Sequence, residues 1–301
     1  MPIIIGTRHG TPPPIAREAR PLIAMTWTGP DGTVWDLMSA DRGVWLTHGI
    51  RGLGMPDIDR QTRKSPRGTM WTSFSVGERQ VVWNVITHDR DDWVGVDRAF
   101  WASLHPAHTG VWTVTLPGGE RRRLRCRFVD DGDVSFRQDP TITGVGRYQV
   151  RLVAEDPFWR GDPITRTFEN STGTGFFGPT GGPPFHIAPA YILGSATITN
   201  PGDVEAWPVW TVRGPWTAVT ITIDGKTLSI PFTGGSSDIL TIDSDPWRPR
   251  AYMQNGADVT GQIASLGFAP IQPGTDVSLG LTLTGTGSVR VDFTPAYLRA
   301  F

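Results

Sequence analysis

The chain has 301 residues and a formal net charge of −1, which predicts two domains and excludes a globally basic nucleic-acid binder. Its 36 glycines and 26 prolines exclude a mainly helical protein, because both residues interrupt helices. Cys126 is the single cysteine, which excludes an intrachain disulfide and a cysteine metal cluster. No segment approaches the ~20 apolar residues of a membrane helix, and the apolar run at 3–5 is too short for a signal peptide. We therefore expect a soluble protein made in a cytoplasm.

Charge differs between the two halves of the chain. Residues 1–160 contain 21 basic and 18 acidic residues, whereas residues 161–301 contain 7 basic and 11 acidic residues. The first half is therefore mildly basic and the second mildly acidic. This difference indicates two separate units.

The first half shows strand patterns separated by turns. Runs of β-branched and aromatic residues flank Gly29–Gly32 and Pro117–Gly119, so each pair of runs predicts a hairpin. The segment 57–67 is polar and has no apolar period, and the two runs beyond it predict a further hairpin. The predicted strands are Ala24–Thr28, Val34–Met38, Val44–Leu46, Met70–Val76 paired with Gln80–Thr87, Trp112–Leu116, Leu124–Val129 and Tyr148–Ala154.

One helix is predicted, from Asp97 to about His105. Asp97 is a suitable N-cap, because its carboxylate can accept hydrogen bonds from the free amides of the first turn. Phe100 and Leu104 lie four residues apart, which places them on one helix face, and Pro106 ends the pattern.

The second half begins with a segment rich in glycine and proline. Residues 170–189 lack any period, so we predict a linker or a long surface loop there. Beyond it, apolar and polar residues alternate on both sides of Asp224-Gly225, a dipeptide that favours a tight turn because both positions accept a positive φ. Further strands are predicted at Val209–Val212, Ile239–Ile242, Val277–Leu283 and Val289–Phe293. The whole pattern predicts an all-β protein with one short helix.

A series of turns and strand starts runs along nearly the whole chain. In the first half it comprises Gly52-Leu53-Gly54-Met55-Pro56, Arg67-Gly68-Thr69-Met70-Trp71, Arg147–Leu152 and Asp156-Pro157-Phe158-Trp159. In the second half it comprises Asn200-Pro201-Gly202, Val209–Val212 followed by Gly214, Asn255-Gly256, Pro273-Gly274 and Val289–Val291 with Tyr297. In its order and spacing the series resembles the distal tail proteins of siphophages.

This resemblance implies a fold. Residues 1–160 would form a ring-forming N-terminal β-sandwich or split-barrel domain with one short helix, and residues 191–301 a galectin-like β-sandwich. A Gly/Pro-rich linker or loop at 161–190 would join the two lobes as a flexible hinge. The polar segment 57–67 would be an extended arm that reaches a neighbouring subunit, so the candidate inter-subunit residues are Arg60, Arg63, Lys64 and Arg67.

The resemblance also implies a function, that of a structural virion protein with no enzymatic activity and no cofactor. A homo-hexameric ring would connect the tail tube protein to the tail tip or receptor-binding apparatus. Further partners would be tail-associated hub or fibre proteins and the tape measure protein. Genomic DNA would pass through the ring without sequence specificity. Such a protein is assembled in the host cytoplasm and resides at the tail tip of the virion.

Four arginines alternate along one predicted strand: Arg121, Arg123, Arg125 and Arg127. Because they have the same parity, a strand would place their guanidinium groups on one face, and Leu124 and Cys126 would point to the core. One interpretation is a solvated or ion-paired face. The other is a basic row that lines the lumen of the ring or meets an acidic neighbour.

Two other functions stay open. A carbohydrate-binding module would hold host cell-wall glycans on the second domain, where Trp207 and Trp210 are able to stack on sugars, although the predicted strands lack a dense polar cluster. An envelope-degrading enzyme would need paired carboxylates or a nucleophile motif. The sequence contains no Gly-x-Ser-x-Gly elbow and no phosphate-binding Gly-x-x-x-x-Gly-Lys loop.

Two patterns suggest metal ligands but are incomplete. His105 and His108 lie three residues apart, yet Pro106 separates them and no third ligand is close in sequence. The acidic runs at 88–92 and 130–133 lack the terminal glutamate of an EF-hand loop, and aspartate-rich turns also form for backbone reasons. We therefore predict no metal site.

Overall fold

A computed structural model gives the fold of the chain and describes residues 22–301 except 133, 135, 137, 170–190 and 193–195. Strands dominate it, as predicted. The helices are α1 (Trp93–Ala102), α2 (Pro140–Thr143) and a 3-10 turn at Thr260–Gln262. The sequence did not predict α2, because a single turn is too short to give a helical period. None of the helices in the described ranges has the length and apolarity needed to span a membrane.

The first domain is an almost closed barrel. Its strands are β1 (Ala24–Thr28), β2 (Val34–Asp36), β3 (Val44–Leu46), β4 (Ile58–Ser65), β5 (Gly68–Val76), β6 (Arg79–His88), β7 (Gly110–Thr115), β8 (Arg121–Asp130), β9 (Val145–Ala154) and β10 (Trp159–Arg160). The barrel strands follow the order β2-β1-β7-β8-β9-β6-β3. The two ends of this sheet meet where the amide of Leu46 donates to the carbonyl of Leu37 at 2.9 Å.

A column of tryptophans fills the barrel. Trp83 makes edge-to-face contacts with Trp27 and with Trp112, each with ring centroids 5.3 Å apart, and Trp159 lies 5.1 Å from Trp112. Each such pair contributes ~0.5–1.5 kcal/mol beyond the burial of its area. Cys126 is fully buried in the same core, as predicted, and this burial raises the pKa of its thiol.

The predicted helix exists but begins four residues earlier than expected, at Trp93. Asp92 rather than Asp97 is the N-cap, because its carboxylate accepts a hydrogen bond from the amide of Gly95 at 3.0 Å. The helix ends at Ala102, and Phe100 is buried on the predicted face.

Asp97 instead joins the helix to the barrel. Its carboxylate accepts hydrogen bonds from the Thr87 hydroxyl at 2.9 Å and from the Tyr148 hydroxyl at 2.7 Å. Burial, together with the hydrogen bond to Asp97, raises the pKa of Tyr148. The helix therefore joins β6 and β9 through a polar contact, and Trp101 packs on Tyr148 of β9 with ring centroids 5.0 Å apart.

The predicted hairpin of Met70–Val76 with Gln80–Thr87 is wrong. β5 pairs with β4 in a separate two-stranded ribbon, so most of the polar segment 57–67 is a strand. β6 pairs with β9 and β3 in the barrel. The reason is that β6 buries alternate residues whereas nearly all of β5 is exposed, so only β6 has an apolar face to place in a core.

The second domain is a β-sandwich. Its strands are β11 (Ile164–Glu169), β12 (Tyr191–Ile192), β13 (Ala196–Thr199), β14 (Val209–Arg213), β15 (Ala218–Ile223), β16 (Lys226–Ile230), β17 (Ile239–Asp243), β18 (Arg250–Met253), β19 (Ser265–Leu266), β20 (Asp276–Thr284) and β21 (Ser288–Phe293), and β22 (Ala296–Tyr297) follows them. The two sheets have the orders β12-β11-β21-β14-β17-β18 and β13-β20-β15-β16-β19 and share one apolar core.

Two sequence predictions can be compared with this sandwich. The hairpin of β15 and β16 is confirmed, and its turn has positive φ at Asp224 (48°) and Gly225 (75°). The predicted linker 161–190 needs a correction, because β11 pairs along its whole length with β21 and so belongs to the sandwich. The remainder of that linker, 170–190, lies outside the described residues.

The end of the chain returns to the first domain. β22 pairs with β10, and Tyr297 and Ala300 are buried in the barrel core. The guanidinium of Arg122 lies over the ring of Tyr297, 3.0 Å from its centroid, in a cation–π contact. The predicted second domain of 191–301 therefore needs a second correction, because its last residues pack with the barrel.

A buried arginine fixes this arrangement. Arg79 is 2% exposed, and its Nε donates to the carbonyl of Pro157 at 2.6 Å. Its Nη1 donates to the carbonyls of Gly52 and Gly54, and its Nη2 to that of Leu298 at 2.8 Å. The expectation of a flexible hinge is therefore wrong, since the chain crosses between the domains twice and one side chain binds both crossings.

We expect Arg79→Met to lower the free energy of unfolding by ~3–5 kcal/mol, because it leaves buried carbonyl groups without a donor. Gln80→Ala is the matched control on the same strand, and because Gln80 is exposed its effect should stay within about 0.5 kcal/mol. Urea unfolding followed by tryptophan fluorescence measures both. Equal midpoints for the two variants would show that Arg79 does not hold these segments.

Candidate assembly interface

The ribbon of β4 and β5, which we call the arm (residues 58–76), projects from the barrel without a core of its own. β4 is exposed along its whole length, and in β5 only Ser73 and Val76 are partly covered. A two-stranded ribbon is only marginally stable by itself in water. Its exposed apolar side chains therefore indicate a binding surface.

A β-bulge gives the arm one aromatic face. The pairing register shifts after Gln61 and leaves Thr72 as the extra residue. In a regular strand Trp71 and Phe74 would lie on opposite faces, because they are three residues apart. With the bulge their rings stack, with centroids 6.5 Å apart and planes inclined by 29°. They are 61% and 55% exposed.

These two rings line a cleft of about 650 Å³ between the arm and the second domain. On the arm side the cleft is lined by Ile58, Arg60, Trp71, Phe74 and Val76, and opposite them lie residues that include Phe158, Asp203, Glu205, Pro273 and Leu298. The cleft is thus mainly apolar, with acidic groups on the wall opposite the arm. Its geometry suits a protein segment better than a small polar ligand.

The four basic residues predicted to contact a neighbouring subunit all lie on the arm or at its tip: Arg60, Arg63, Lys64 and Arg67. All four are exposed. Among the described residues, no carboxylate lies within ion-pair distance of any of them. The arm therefore presents unpaired positive charge beside its aromatic face.

The four alternating arginines lie on β8 with the predicted parity, since Leu124 and Cys126 are buried between them. Carboxylates of the same chain bind three of the four, in the pairs Arg121–Asp162 at 3.6 Å, Arg123–Asp162 at 2.8 Å and Arg127–Glu155 at 2.7 Å. Such partly exposed pairs contribute ~0–1 kcal/mol each. Arg125 is exposed, and no carboxylate in the described ranges pairs with it.

The histidine and aspartate patterns form turns. The Nδ1 of His105 accepts a hydrogen bond from the amide of Ala107 at 3.0 Å, and the rings of His105 and His108 lie 4.6 Å apart. Asp89 accepts hydrogen bonds from the backbone amides of Asp92 and Asp91, and these bonds lower its pKa. In the part of the chain that the structure describes, no three His, Cys, Asp or Glu side chains are close enough to hold a metal ion.

Two residues that the sequence did not single out have a clear place in the structure. Trp247 is 89% exposed, and Pro246 and Pro249 around it were a usable signal, because prolines exclude a central strand. Arg79 carried no signal, because one of its acceptors lies 219 residues away. Of the two tryptophans proposed to stack on sugars, Trp210 is buried in the sandwich core, whereas Trp207 is half-buried at a surface cleft.

No protein-family model and no curated protein matches the sequence. Solved structures do match. SPP1 Dit, described as a paradigm of the hub adsorption apparatus in phages that infect Gram-positive bacteria, is 16% identical with a TM-score of 0.61, over 91% of this chain and 99% of that chain. A chain of the phage P2 baseplate, in its activated conformation with Ca, is 10% identical with a TM-score of 0.50, over 90% and 98%. The chain therefore has the fold of SPP1 Dit, as the resemblance to siphophage distal tail proteins predicts.

Proposed function

We propose that the chain is the structural hub at the distal end of a long, non-contractile phage tail. The observation that carries this proposal is the likeness to SPP1 Dit over 91% of this chain and 99% of that one. Because the match extends over 91% of this chain, it covers more than a single β-sandwich. The description of SPP1 Dit as a hub supports the same role here.

In the proposed assembly the chain forms a hexameric ring through its barrels and leaves a channel through which genomic DNA passes without sequence specificity. The tail tube protein, and the tape measure protein inside it, lie on one side. Tail-tip, hub or fibre proteins lie on the other side. The ring is assembled in the host cytoplasm and resides at the tail tip of the virion. Its role is mechanical and needs neither catalysis nor a cofactor.

The arm supports contact between neighbouring copies. Trp71 and Phe74 form the kind of exposed aromatic pair that protein interfaces bury, and tryptophan is enriched among residues that dominate binding energy. Unpaired cations beside them steer the arm toward an acidic surface. The second domain carries more acidic than basic residues and so offers such a surface on a neighbouring copy.

We expect the double change Trp71→Ala and Phe74→Ala to weaken self-association at least about 100-fold, because the anchoring rings are lost. The thermal midpoint should stay near that of the unaltered chain, since both side chains are exposed. Light scattering after size exclusion, with negative-stain imaging, measures the assembly. Trp247→Ala is the control, an exposed tryptophan outside the arm. The hub proposal would be contradicted if the unaltered chain stays monomeric at high concentration and virions show no ring.

Glutamine at the four arm cations should weaken ring formation and flatten its dependence on salt between about 50 and about 500 mM NaCl, because screening acts on exposed charges. The control removes the same net charge elsewhere, at the exposed residues Arg90, Arg98, Arg248 and Arg299. Association constants from sedimentation report the slope. The same slope for both variants would show that the arm cations do not face an acidic neighbour.

Arg125 is the member of the β8 row that remains for a partner or for the channel. We expect Arg125→Gln to impair ring assembly and DNA ejection from virions as much as the change of all four arginines to glutamine does. The reason is that the other three arginines are already ion-paired within the chain. Arg147→Gln, an exposed arginine on β9, is the control. Normal assembly and normal ejection with all four changed would remove the row from the proposal.

A further inference from the structure

A second cleft, of about 440 Å³, lies at the junction of the two domains. The hub role proposed above does not use it. Four aromatic side chains, which include Trp207 and Trp247, line it together with three carboxylates and one guanidinium. The charged groups belong to Glu205, Asp245, Asp292 and Arg160. Its volume falls in the range of small-ligand sites.

The loop between β17 and β18 holds Trp247 outward over this cleft. The Asp243 carboxylate accepts a hydrogen bond from the amide of Asp245 at 3.1 Å, and the Asp245 carboxylate accepts one from the amide of Trp247 at 2.9 Å. The amide of Arg248 donates to the carbonyl of Asp245 at 2.9 Å, which closes a turn. Packing of the sandwich core does not explain why an ordered loop exposes 89% of a tryptophan.

The polar groups of the cleft have capacity for a ligand. Asp292 is already oriented by the Thr165 hydroxyl at 2.6 Å and by Arg290 at 2.7 Å, and its carboxylate oxygens can accept further hydrogen bonds. Asp156 binds Arg160 through Nε at 2.9 Å and Nη2 at 2.7 Å. These two hydrogen bonds fix the orientation of the Arg160 guanidinium and leave its Nη1 donors for a ligand.

We propose that this cleft binds a short saccharide that is neutral or carries an amino group. The indole face of Trp247 packs against the apolar face of a sugar ring, the carboxylates accept hydrogen bonds from hydroxyl groups, and Arg160 donates to a sugar oxygen. Arg290 pairs with Asp292, and Asp156 pairs with Arg160, whereas Glu205 and Asp245 form no ion pair among the described residues. The remaining negative charge repels phosphate-bearing or otherwise acidic polymers.

This cleft lies apart from the strand surface on which the sequence suggested carbohydrate binding. The sequence suggested stacking of sugars on Trp207 and Trp210, beside strands whose sequence lacks a dense polar cluster. The cleft instead draws on loops and on Phe158 and Arg160, which lie where the chain leaves the first domain. Glu205 lines both this cleft and the cleft beside the arm, but only this cleft combines Trp247 with Asp245 and Asp292.

Calorimetry and saturation-transfer NMR on the full chain test the proposal with three probes: an N-acetylglucosamine oligomer, a glucosamine oligomer and polyglycerol phosphate. We expect the first two to bind and the third not to bind. Trp247→Ala should weaken binding at least about tenfold, and Trp71→Ala should leave it unchanged. Glu205→Gln should weaken binding of the glucosamine oligomer more than that of the N-acetylated one, because it removes a negative charge.

Unfolding does not confound this test, because Trp247 is almost fully exposed and its variant should keep the thermal midpoint of the unaltered chain. The proposal fails if neither sugar probe binds at concentrations up to about 10 mM. It also fails if Trp247→Ala binds as well as the unaltered chain. If no sugar binds but Trp247→Ala loses capture of tail-tip proteins, the cleft is a protein contact. The hub proposal is tested separately, by the effect of the arm variants on ring formation. A negative result for sugar binding therefore does not contradict it.

Discussion

The arrangement of the molecule depends on the buried guanidinium of Arg79. Taking a charge out of water is costly, and here charge-assisted hydrogen bonds to four backbone carbonyls offset that cost. The acceptors come from the segment that leads to the arm (Gly52 and Gly54), from the exit of the barrel (Pro157) and from the returning end of the chain (Leu298). The arm, the barrel and the second domain therefore diverge from one point that this side chain holds together.

A second constraint acts beside the first. The chain leaves the barrel through β10 and comes back through β22, and these two short strands pair with each other. The ring of Tyr297 lies under Arg122, and the amide of Ala300 donates to the carbonyl of Leu53 at 2.9 Å. A single linker would let the sandwich swivel, whereas two paired crossings resist rotation. The pairing also keeps the walls of the interdomain cleft together.

The sequence predicted features that arise from local period and missed those that arise from distant contacts. Alternation gave the hairpin around Asp224-Gly225, the parity of the β8 arginines and the burial of Cys126, because strand geometry alone determines which residues share a face. The strand β6 pairs with β9 and β3 and not with the expected Met70–Val76, because only β6 has an apolar face that fits the barrel core. The role of Arg79 and the placement of Tyr297 depend on residues far apart in sequence, which no local pattern records.

The arm and the interdomain cleft each present one exposed tryptophan, Trp71 and Trp247, but in different chemical surroundings. Most tryptophans of this chain lie in the cores, and an exposed indole is unfavourable in water unless a partner covers it. Each of the two is held outward by a local backbone feature: the bulge at Thr72 for Trp71, and the turns at Asp243 and Asp245 for Trp247.

The groups that surround the two tryptophans differ. Apolar residues and unpaired cations around Trp71 favour another protein, because an apolar partner surface can exclude water there. Carboxylates around Trp247 favour a ligand with many hydroxyl donors, because these groups need hydrogen bonds when they are covered. The neighbouring groups thus decide what each indole is able to contact, and this difference underlies the two roles proposed for the same residue type.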